Sequence, residues 1–215
     1  MSEKTLLPGS LAFPQHETYD PVNDFSKYPG SSFDDVTMPA QAMTSTGAFR
    51  PPNWALFRTG AGSDGIMLPQ FTRVASAPFP GQTKDLMVSF QLPHRYDRGK
   101  DCYLHLHWSP GSSGAVVGNV AWKVEISVAK VGGIMPTTQI IDLTNACGGV
   151  SYGHQITSDV LIAGAALEES SILIGRVFRD SVGDTWASDN AFLLGIDLHV
   201  PIIKPGTRLR TPPWD

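Results

Sequence analysis

The chain has 215 residues, of which 16 are Lys or Arg and 20 are Asp or Glu, so its formal net charge is -4. It lacks the basic surplus that a phosphate backbone attracts, and we expect no nucleic-acid partner. The 21 glycines and 17 prolines exclude a bundle of long helices. No apolar run approaches the roughly 20 residues that cross a bilayer, so we also expect no membrane partner.

Residues 1–80 are predicted to form an extended, proline-rich N-terminal arm. Ten of the 17 prolines lie in this range, and this spacing prevents helix formation and disfavours central strands. Large apolar side chains lie between the prolines, too many for a solvated linker. The arm therefore either wraps its own domain or becomes ordered on neighbouring subunits, and composition leaves both open. The candidate interaction residues are Phe13, Tyr19, Phe25, Tyr28, Phe33 and Trp54.

Period-two alternation of apolar and polar residues starts near Asp85 and predicts a strand-rich domain over residues 81–215. The clearest strand is Val120–Val128, where every second side chain is apolar. Without intervening helical patterns, such strands predict an all-β fold, an antiparallel β-sandwich of the jelly-roll or immunoglobulin-like kind. One short helix is possible at Gly164–Ser170. The other predicted strands cover residues 86–92, 103–108, 139–143, 155–161, 172–178 and 192–200.

Two strands carry specific predictions about burial. In residues 192–200 the even-numbered positions are apolar and are expected to face the core. In residues 172–178 the even-numbered positions are expected to be buried too, and they include Arg176. A buried arginine needs an acidic partner, which Asp197 or an acid from another subunit would supply. The residues grouped as a structural polar cluster are His94, Arg176 and Asp197.

A His-x-His pair, His105 and His107, is the strongest candidate for metal binding. Residues two apart on a strand point to the same face, so both imidazoles could hold one transition metal. His199 would add a third ligand, and Asp197 lies on the same face, if their strand neighbours that of His105. The alternative is a hydrogen-bonded polar layer or an interface, and we expect no metal and no cofactor.

The surroundings of this pair resemble the first metal motif of the cupins, which are jelly-roll-like barrels. Gly99 is followed by five residues and then by His-x-His, as that motif begins. The glutamate expected shortly afterwards is missing, since the chain reads Trp108-Ser-Pro-Gly111, and no second cupin motif follows. A cupin-like metalloprotein is therefore kept only as an alternative, which predicts metal loss on His105→Ala.

No residue set predicts catalysis, and we expect no enzyme activity. The chain has no family-type catalytic cysteine signature and no phosphate-binding glycine loop. Cys102 and Cys147 lack metal-like spacing and are expected to be unpaired thiols in a chain made in a reducing cytoplasm. The polar loop 179–189 carries three aspartates and is interpreted as a solvated connection. Its Trp186, together with Trp108, would suit sugar stacking in a carbohydrate-binding module.

Five segments follow one another along the strand-rich domain: Gln91-Leu-Pro-His-Arg-Tyr-Asp-Arg-Gly99, Leu104-His-Leu-His-Trp-Ser-Pro110, Gly118-Asn-Val-Ala-Trp122, Arg176-Val-Phe-Arg-Asp180 and Ala191-Phe-Leu-Leu-Gly-Ile-Asp-Leu-His199. In this order they resemble a family of β-rich virion proteins of tailed bacteriophages, which carry similar Leu-Pro-His, His-x-His-Trp and Phe-Arg-Asp segments. The similarity covers roughly residues 85–200. It implies a non-enzymatic structural role and assigns no catalytic residues.

The leading hypothesis is a structural component of a tailed-phage particle. The resemblance implies localisation in the virion, assembly in the host cytoplasm and a homo-oligomer, a trimer by analogy with decoration proteins and fibres. The arm would anchor it to the capsid as decoration or head fibre, or to the neck or tail. Its partners would be other virion proteins, such as the major capsid, neck or tail proteins. A carbohydrate-binding module is the main alternative.

Overall fold

The computed structural model describes residues 32–45, 52–60, 65–72, 84–188 and 191–203. These residues belong to one compact unit that begins at Ser32. They form an all-β fold of antiparallel strands with three single-turn 3-10 segments, which confirms the predicted fold class. The strands are β1 Ser32–Pro39, β2 Asn53–Thr59, β3 Gly65–Phe71, β4 Asp85–Gln91, β5 Cys102–Ser109, β6 Asn119–Val120, β7 Trp122–Ala129, β8 Gln139–Asp142, β9 Asn145–Ala146, β10 Gln155–Ile156, β11 Val160–Ile162, β12 Ile172–Arg179 and β13 Ala191–Ile202.

Strand β13 is the centre of the first, seven-stranded sheet. It pairs with β5 along one side and with β1 and β3 along the other. Strands β10 and β11 pair with β5, and β2 extends the sheet beyond β3. The second sheet has four strands in the order β4, β12, β7, β8, and β6 pairs with β9 separately. None of the segments that the structure describes is an apolar helix long enough to cross a membrane.

The core lies between the inner faces of the two sheets. The inward side chains of β5, Leu104, Leu106 and Trp108, are fully buried. Those of β7 include Trp122 and Val124, as the alternation predicted. Trp108 contacts Trp122 and Trp186 edge-on, with ring centroids 6.1 and 5.9 Å apart. This aromatic packing removes a large apolar area from water and stabilises the sandwich.

The domain boundary expected at residue 80 does not hold for the described part of the arm. Strands β1, β2 and β3 are part of the first sheet, so the described part of the arm belongs to the same domain as the strands that follow it. Prolines are tolerated here because they occupy strand ends and edges. Pro39 is the last residue of β1. Pro69 lies in the part of β3 that does not pair with β13, because β13 pairs with β3 only at Gln70 and Phe71.

The candidate interaction residues of the arm divide into two groups. Phe33 on β1 is 55% exposed and packs edge-on against Tyr103, and Trp54 on β2 is 46% exposed. The other four lie outside the described residues: Phe13, Tyr19, Phe25 and Tyr28.

The faces predicted for the last two long strands need correction. On β12 the buried residues include Leu173 and Val177, while Arg176 lies on the outer face. The first three residues of β12, Ile172 to Ile174, are all apolar, so alternation alone cannot show which of them face the core. On β13 the register with β5 shifts between Leu193 and Gly195. This bulge reverses the phase of the core-facing residues, which are Ala191 and Leu193 before it and the even-numbered Ile196, Leu198 and Val200, as predicted, after it. Phe192 is buried as well, but it packs against Phe57 of β2.

Two residues of the loop after β12, Asp184 and Trp186, are buried in the core, contrary to the expected solvated connection, while Val182 in the same loop is 73% exposed. Arg179 is 1% exposed, and its guanidinium donates to both carboxylate oxygens of Asp184, with N–O distances of 2.7 and 3.0 Å. It also donates to the carbonyls of Phe71, Ser188 and Trp186. A buried charge pair with this many donors satisfied fixes the loop against both sheets.

Candidate functional site

The outer face of the first sheet carries a row of polar side chains where β1, β13 and β5 lie side by side. The register places Asp197 opposite His105 on β5, and His199 opposite both Asp35 on β1 and Tyr103 on β5. Because successive residues of a strand alternate between faces, these positions point away from the core that Leu104 and Leu106 enter. Strand pairing thus brings together residues that are distant in sequence.

Seven residues form what we call the histidine–aspartate cluster. Four imidazoles and three carboxylates are joined by short contacts across three strands and two loops. The members are Asp35, His105, His107, His154, Asp159, Asp197 and His199. His105 occupies the middle, with its side chain only 7% exposed.

The first point of convergence lies on the β5 and β13 strands themselves. His107 Nε2 lies 3.0 Å from His105 Nε2 and 2.9 Å from Asp197 Oδ2, and the remaining distance, from His105 Nε2 to Asp197 Oδ2, is 3.8 Å. The side chains of His107 and Asp197 are 21% and 13% exposed. We call this set the inner triad.

The second point of convergence uses the other nitrogen of His105. His105 Nδ1 lies 2.9 Å from Asp159 Oδ1 and 3.0 Å from His199 Nε2, and the latter is 4.0 Å from Asp159 Oδ1. Asp159 comes from the loop before β11, and its side chain is 54% exposed. We call this set the outer triad. It borders an open pocket of about 430 Å³ lined by Phe33, Tyr103, Asp159 and His199.

Two further residues hold the rings of the cluster from outside. Asp35 on β1 lies 2.6 Å from His199 Nδ1, and His154 Nε2 lies 2.6 Å from His107 Nδ1. Burial and the neighbouring His107 lower the pKa of His154, while Asp197 acts in the opposite direction. A proton carried by either ring can join His154 Nε2 and His107 Nδ1 in a hydrogen bond, and Asp35 can accept a hydrogen bond from His199.

Counting protons shows that neutral imidazoles leave both triads short of hydrogen. If His199 donates its Nδ1–H to Asp35, its Nε2 carries only a lone pair and brings no proton to the outer triad. The one proton of His105 can then serve the outer triad from Nδ1, and the inner triad depends on a proton on His107 Nε2. In each triad a single N–H group would have to donate to both of the other two atoms, through a bifurcated hydrogen bond. A cation at either point would replace that shared proton and bind all three atoms at once.

The sequence predicted part of this arrangement. It placed His105 and His107 on one face, and it made the contribution of His199 and Asp197 conditional on neighbouring strands, a condition that the β13–β5 pairing meets. It missed Asp35, His154 and Asp159. Each of these joins through tertiary contacts rather than local spacing, so no sequence motif could have indicated it.

The expected polar cluster of His94, Arg176 and Asp197 is wrong. Arg176 lies on the outer face of the second sheet, where it donates to Glu125 (2.8 Å) and Asp85 (3.1 Å). Asp197 lies on the outer face of the first sheet. His94 is exposed in the turn between β4 and β5. Arg176 therefore finds its acids within the chain and on its own sheet.

The aromatic residues proposed for sugar stacking are not at the surface. Trp108 and Trp186 are both 0% exposed. Their indole N–H groups donate to Asn145 Oδ1 at 2.9 Å and to the Val116 carbonyl at 3.0 Å. Stacking on a sugar requires an exposed ring face, so the carbohydrate-binding hypothesis loses both of its aromatic platforms.

Known proteins do not supply a function by similarity. A scan of the chain against protein-family models finds no match, and a search among curated proteins finds no similar sequence.

Proposed function

We propose that this chain is a non-enzymatic structural subunit of a tailed-phage particle, assembled as a homo-oligomer in contact with other virion proteins. The five segments that resemble phage virion proteins support this proposal. In the structure they contribute to the core, through residues such as Tyr96, Trp108 and Trp122, which are fully buried. The resembling segments therefore contain residues that form the core of the sandwich. The position of the chain on the particle is a separate part of the proposal.

The observation that carries the assembly role is the apolar edge of the first sheet. Strand β2 ends the strand order β10-β5-β13-β3-β2, so one of its sides has no partner strand in that order. Trp54 and Leu56 are 46% and 52% exposed on β2, and Met67, paired with Leu56, is 47% exposed. Soluble proteins usually protect such an edge with charges or bulges, and β2 has both at its far end, where the register shifts between Leu56 and the exposed Arg58. The apolar part of the edge before this shift favours a contact with another chain.

A second copy of the same chain is the occupant we propose for this edge. An edge strand can pair with the same edge of another copy, or with a different edge around a closed ring. A ring of three copies is proposed by analogy with phage decoration proteins and fibres. Multivalent attachment to the particle would then follow even where each single contact is weak.

The mass of the full-length chain in solution tests the oligomer. We expect light scattering to give a discrete oligomer. Its mass should fall in the double variant Leu56→Lys/Met67→Lys, because burying the two lysine charges in the contact between copies would remove them from water. The matched control is Val117→Lys/Ile134→Lys, which changes two loop residues that are 89% and 93% exposed, and it should retain the oligomer. A wild-type chain that stays monomeric at all concentrations would contradict the assembly role.

The virion assignment has its own test. A lysate of the phage that encodes the chain is fractionated on a density gradient, and copies of the chain are counted by mass spectrometry. We expect a fixed number of copies per particle in the band of assembled particles. Recovery of the chain only in the soluble fraction would overturn this assignment, while leaving the oligomer result intact.

A further inference from the structure

We propose that the inner triad of the histidine–aspartate cluster binds one divalent transition-metal cation, with Zn²⁺ as the best match, through His105 Nε2, His107 Nε2 and Asp197 Oδ2. This inference goes beyond the assembly role and does not depend on it. Two imidazoles and one carboxylate are a donor set that zinc accepts readily.

The spacing of the three donor atoms fits one shared ion. Ligand atoms that lie about 2.1 Å from a metal are separated by roughly 3.0 Å at right angles and about 3.4 Å at tetrahedral angles. The observed separations of 2.9, 3.0 and 3.8 Å lie on either side of these values. Small rotations of the side chains would bring all three atoms to bonding distance.

The remaining ring nitrogens have the partners that a metal-binding histidine needs. His105 Nδ1 lies 2.9 Å from Asp159 Oδ1, and His107 Nδ1 lies 2.6 Å from His154 Nε2. Donation of both Nδ1–H groups would fix each ring with its Nε2 lone pair facing Asp197. Such outer hydrogen bonds orient the ligands and increase their basicity.

Two observations favour the inner triad over the outer one. All three of its ligands come from the paired strands β5 and β13, whereas Asp159 of the outer triad comes from a loop and is half exposed. In addition, Asp197 Oδ1 is buried and has no hydrogen-bond partner among the described residues. A buried carboxylate oxygen without a donor is costly, and a cation bound by both oxygens of Asp197 would satisfy it.

Calorimetric titration with ZnCl₂ tests the site directly. The full-length chain is purified without a polyhistidine tag, stripped with EDTA and dialysed before titration. We expect one Zn²⁺ per chain. His107→Gln and Asp197→Asn each remove a ligand and should weaken binding by more than about 100-fold, beyond the loss typical of outer partners. His94→Gln changes an exposed histidine outside the cluster, and it should bind as wild type does.

Further variants distinguish the two triads. Asp159→Asn alters only an outer partner of the inner triad and should weaken binding by roughly 10- to 100-fold. His199→Ala removes a ligand of the outer triad and should leave one Zn²⁺ per chain. Circular dichroism of each variant confirms that it is folded. The visible spectrum of bound Co²⁺ then gives a second readout, which should change in His107→Gln and persist in His199→Ala.

Three results would overturn the proposal. Absence of zinc binding by the folded wild-type chain would leave the cluster as a hydrogen-bonded polar layer. Loss of binding in His199→Ala with retention in His107→Gln would move the ion to the outer triad. Two ions per chain would show that both triads bind. The oligomer measurement is independent of all three outcomes, because the stoichiometry is counted per chain.

Discussion

The two faces of the first sheet are built from the same strands but differ in chemistry. On β5, Leu104, Leu106 and Trp108 enter the core, while His105 and His107, one residue away in each case, meet carboxylates on the outer face. The inner face is a close-packed apolar layer with aromatic edge contacts. The outer face is a network of imidazole nitrogens and carboxylate oxygens in mutual contact.

This difference separates the residues that stabilise the fold from the residues that could bind a ligand. An inward residue of β5 contributes through the apolar area it removes from water, so its replacement lowers the stability of the whole sandwich. An outward residue contributes through polar contacts whose value depends on what occupies the cluster. The two kinds of residue should therefore respond to different experiments.

The largest effect is expected on the inner face. Trp108→Ala should lower the free energy of unfolding by about 3–5 kcal/mol, because it leaves a cavity and deprives Asn145 of a hydrogen bond. Ile134→Ala is the control, since Ile134 is 93% exposed in a loop away from the proposed assembly edge, and it should cost less than about 1 kcal/mol. Urea unfolding followed by fluorescence measures both. Similar losses in the two variants would contradict the assignment of the core.

On the outer face, the effect should appear only when the ion is present. Zn²⁺ at 100 times its dissociation constant should raise the free energy of unfolding of the wild-type chain by about 2.7 kcal/mol. His107→Gln should show no such increase, whereas His94→Gln should behave as wild type does. Urea unfolding with and without Zn²⁺ measures this difference. An equal increase in His107→Gln would place the bound zinc elsewhere in the chain.

The two cysteines extend the comparison to chemical reactivity. Both are free thiols, and Cys102 is buried on the inner face of β5. Burial, aided by Asp101, raises the pKa of the Cys102 thiol to about 12. At pH 8 only about one Cys102 in ten thousand would be a thiolate, so native alkylation should modify Cys147 first. Mass spectrometry after brief iodoacetamide treatment tests this order, which urea should abolish.

The smallest effect is expected on the second sheet, where Lys123 on β7 pairs with Asp142 on β8. Hydrogen bonds from Lys123 and Thr144 lower the pKa of Asp142 to about 2. A lowered pKa stabilises the fold above the unfolded value near 4, and this contribution is lost as the pH falls from about 4 to about 2. The Asp142 side chain is 60% exposed, so solvent reduces the contribution to about 0.5 kcal/mol or less.

Comparing Asp142→Asn with the wild-type chain isolates this contribution. The difference in the free energy of unfolding between the two chains should be present at pH 6 and should vanish near pH 2. A difference that grew on acidification would have the wrong sign for a carboxyl group with a lowered pKa.

The sequence could predict strands where the two faces of a segment differ in polarity. The β7 strand is the clearest case, because Trp122 and Val124 alternate with Lys123 and Glu125. The β12 strand was located correctly but assigned the wrong face, because its first residues are apolar on both sides and only tertiary pairing decides between them. On β13 the bulge after Leu193 changes the phase within one strand, and alternation cannot indicate where this happens.

The strands β1, β2 and β3 inside the predicted arm were missed for a different reason. Proline counts argued against strands, yet proline at a strand end or edge disrupts no pairing, and β1 and β3 use both positions. The histidine–aspartate cluster was half predicted because His-x-His is a local pattern, whereas Asp35, His154 and Asp159 arrive from other parts of the chain. Distances between such residues depend on strand order, which single-sequence alternation does not contain.

The central place of β13 has a consequence for synthesis of the protein. A ribosome makes β13 after all the other described strands, although it pairs with β1, β3 and β5. Until residues 191–202 leave the exit tunnel, those earlier strands have an unpaired edge and cannot close the first sheet. The nascent chain would expose strand edges throughout elongation, at roughly 5–20 residues per second. Closure of this sheet must therefore wait for residues 191–202 and should be slow, because its pairings are long-range.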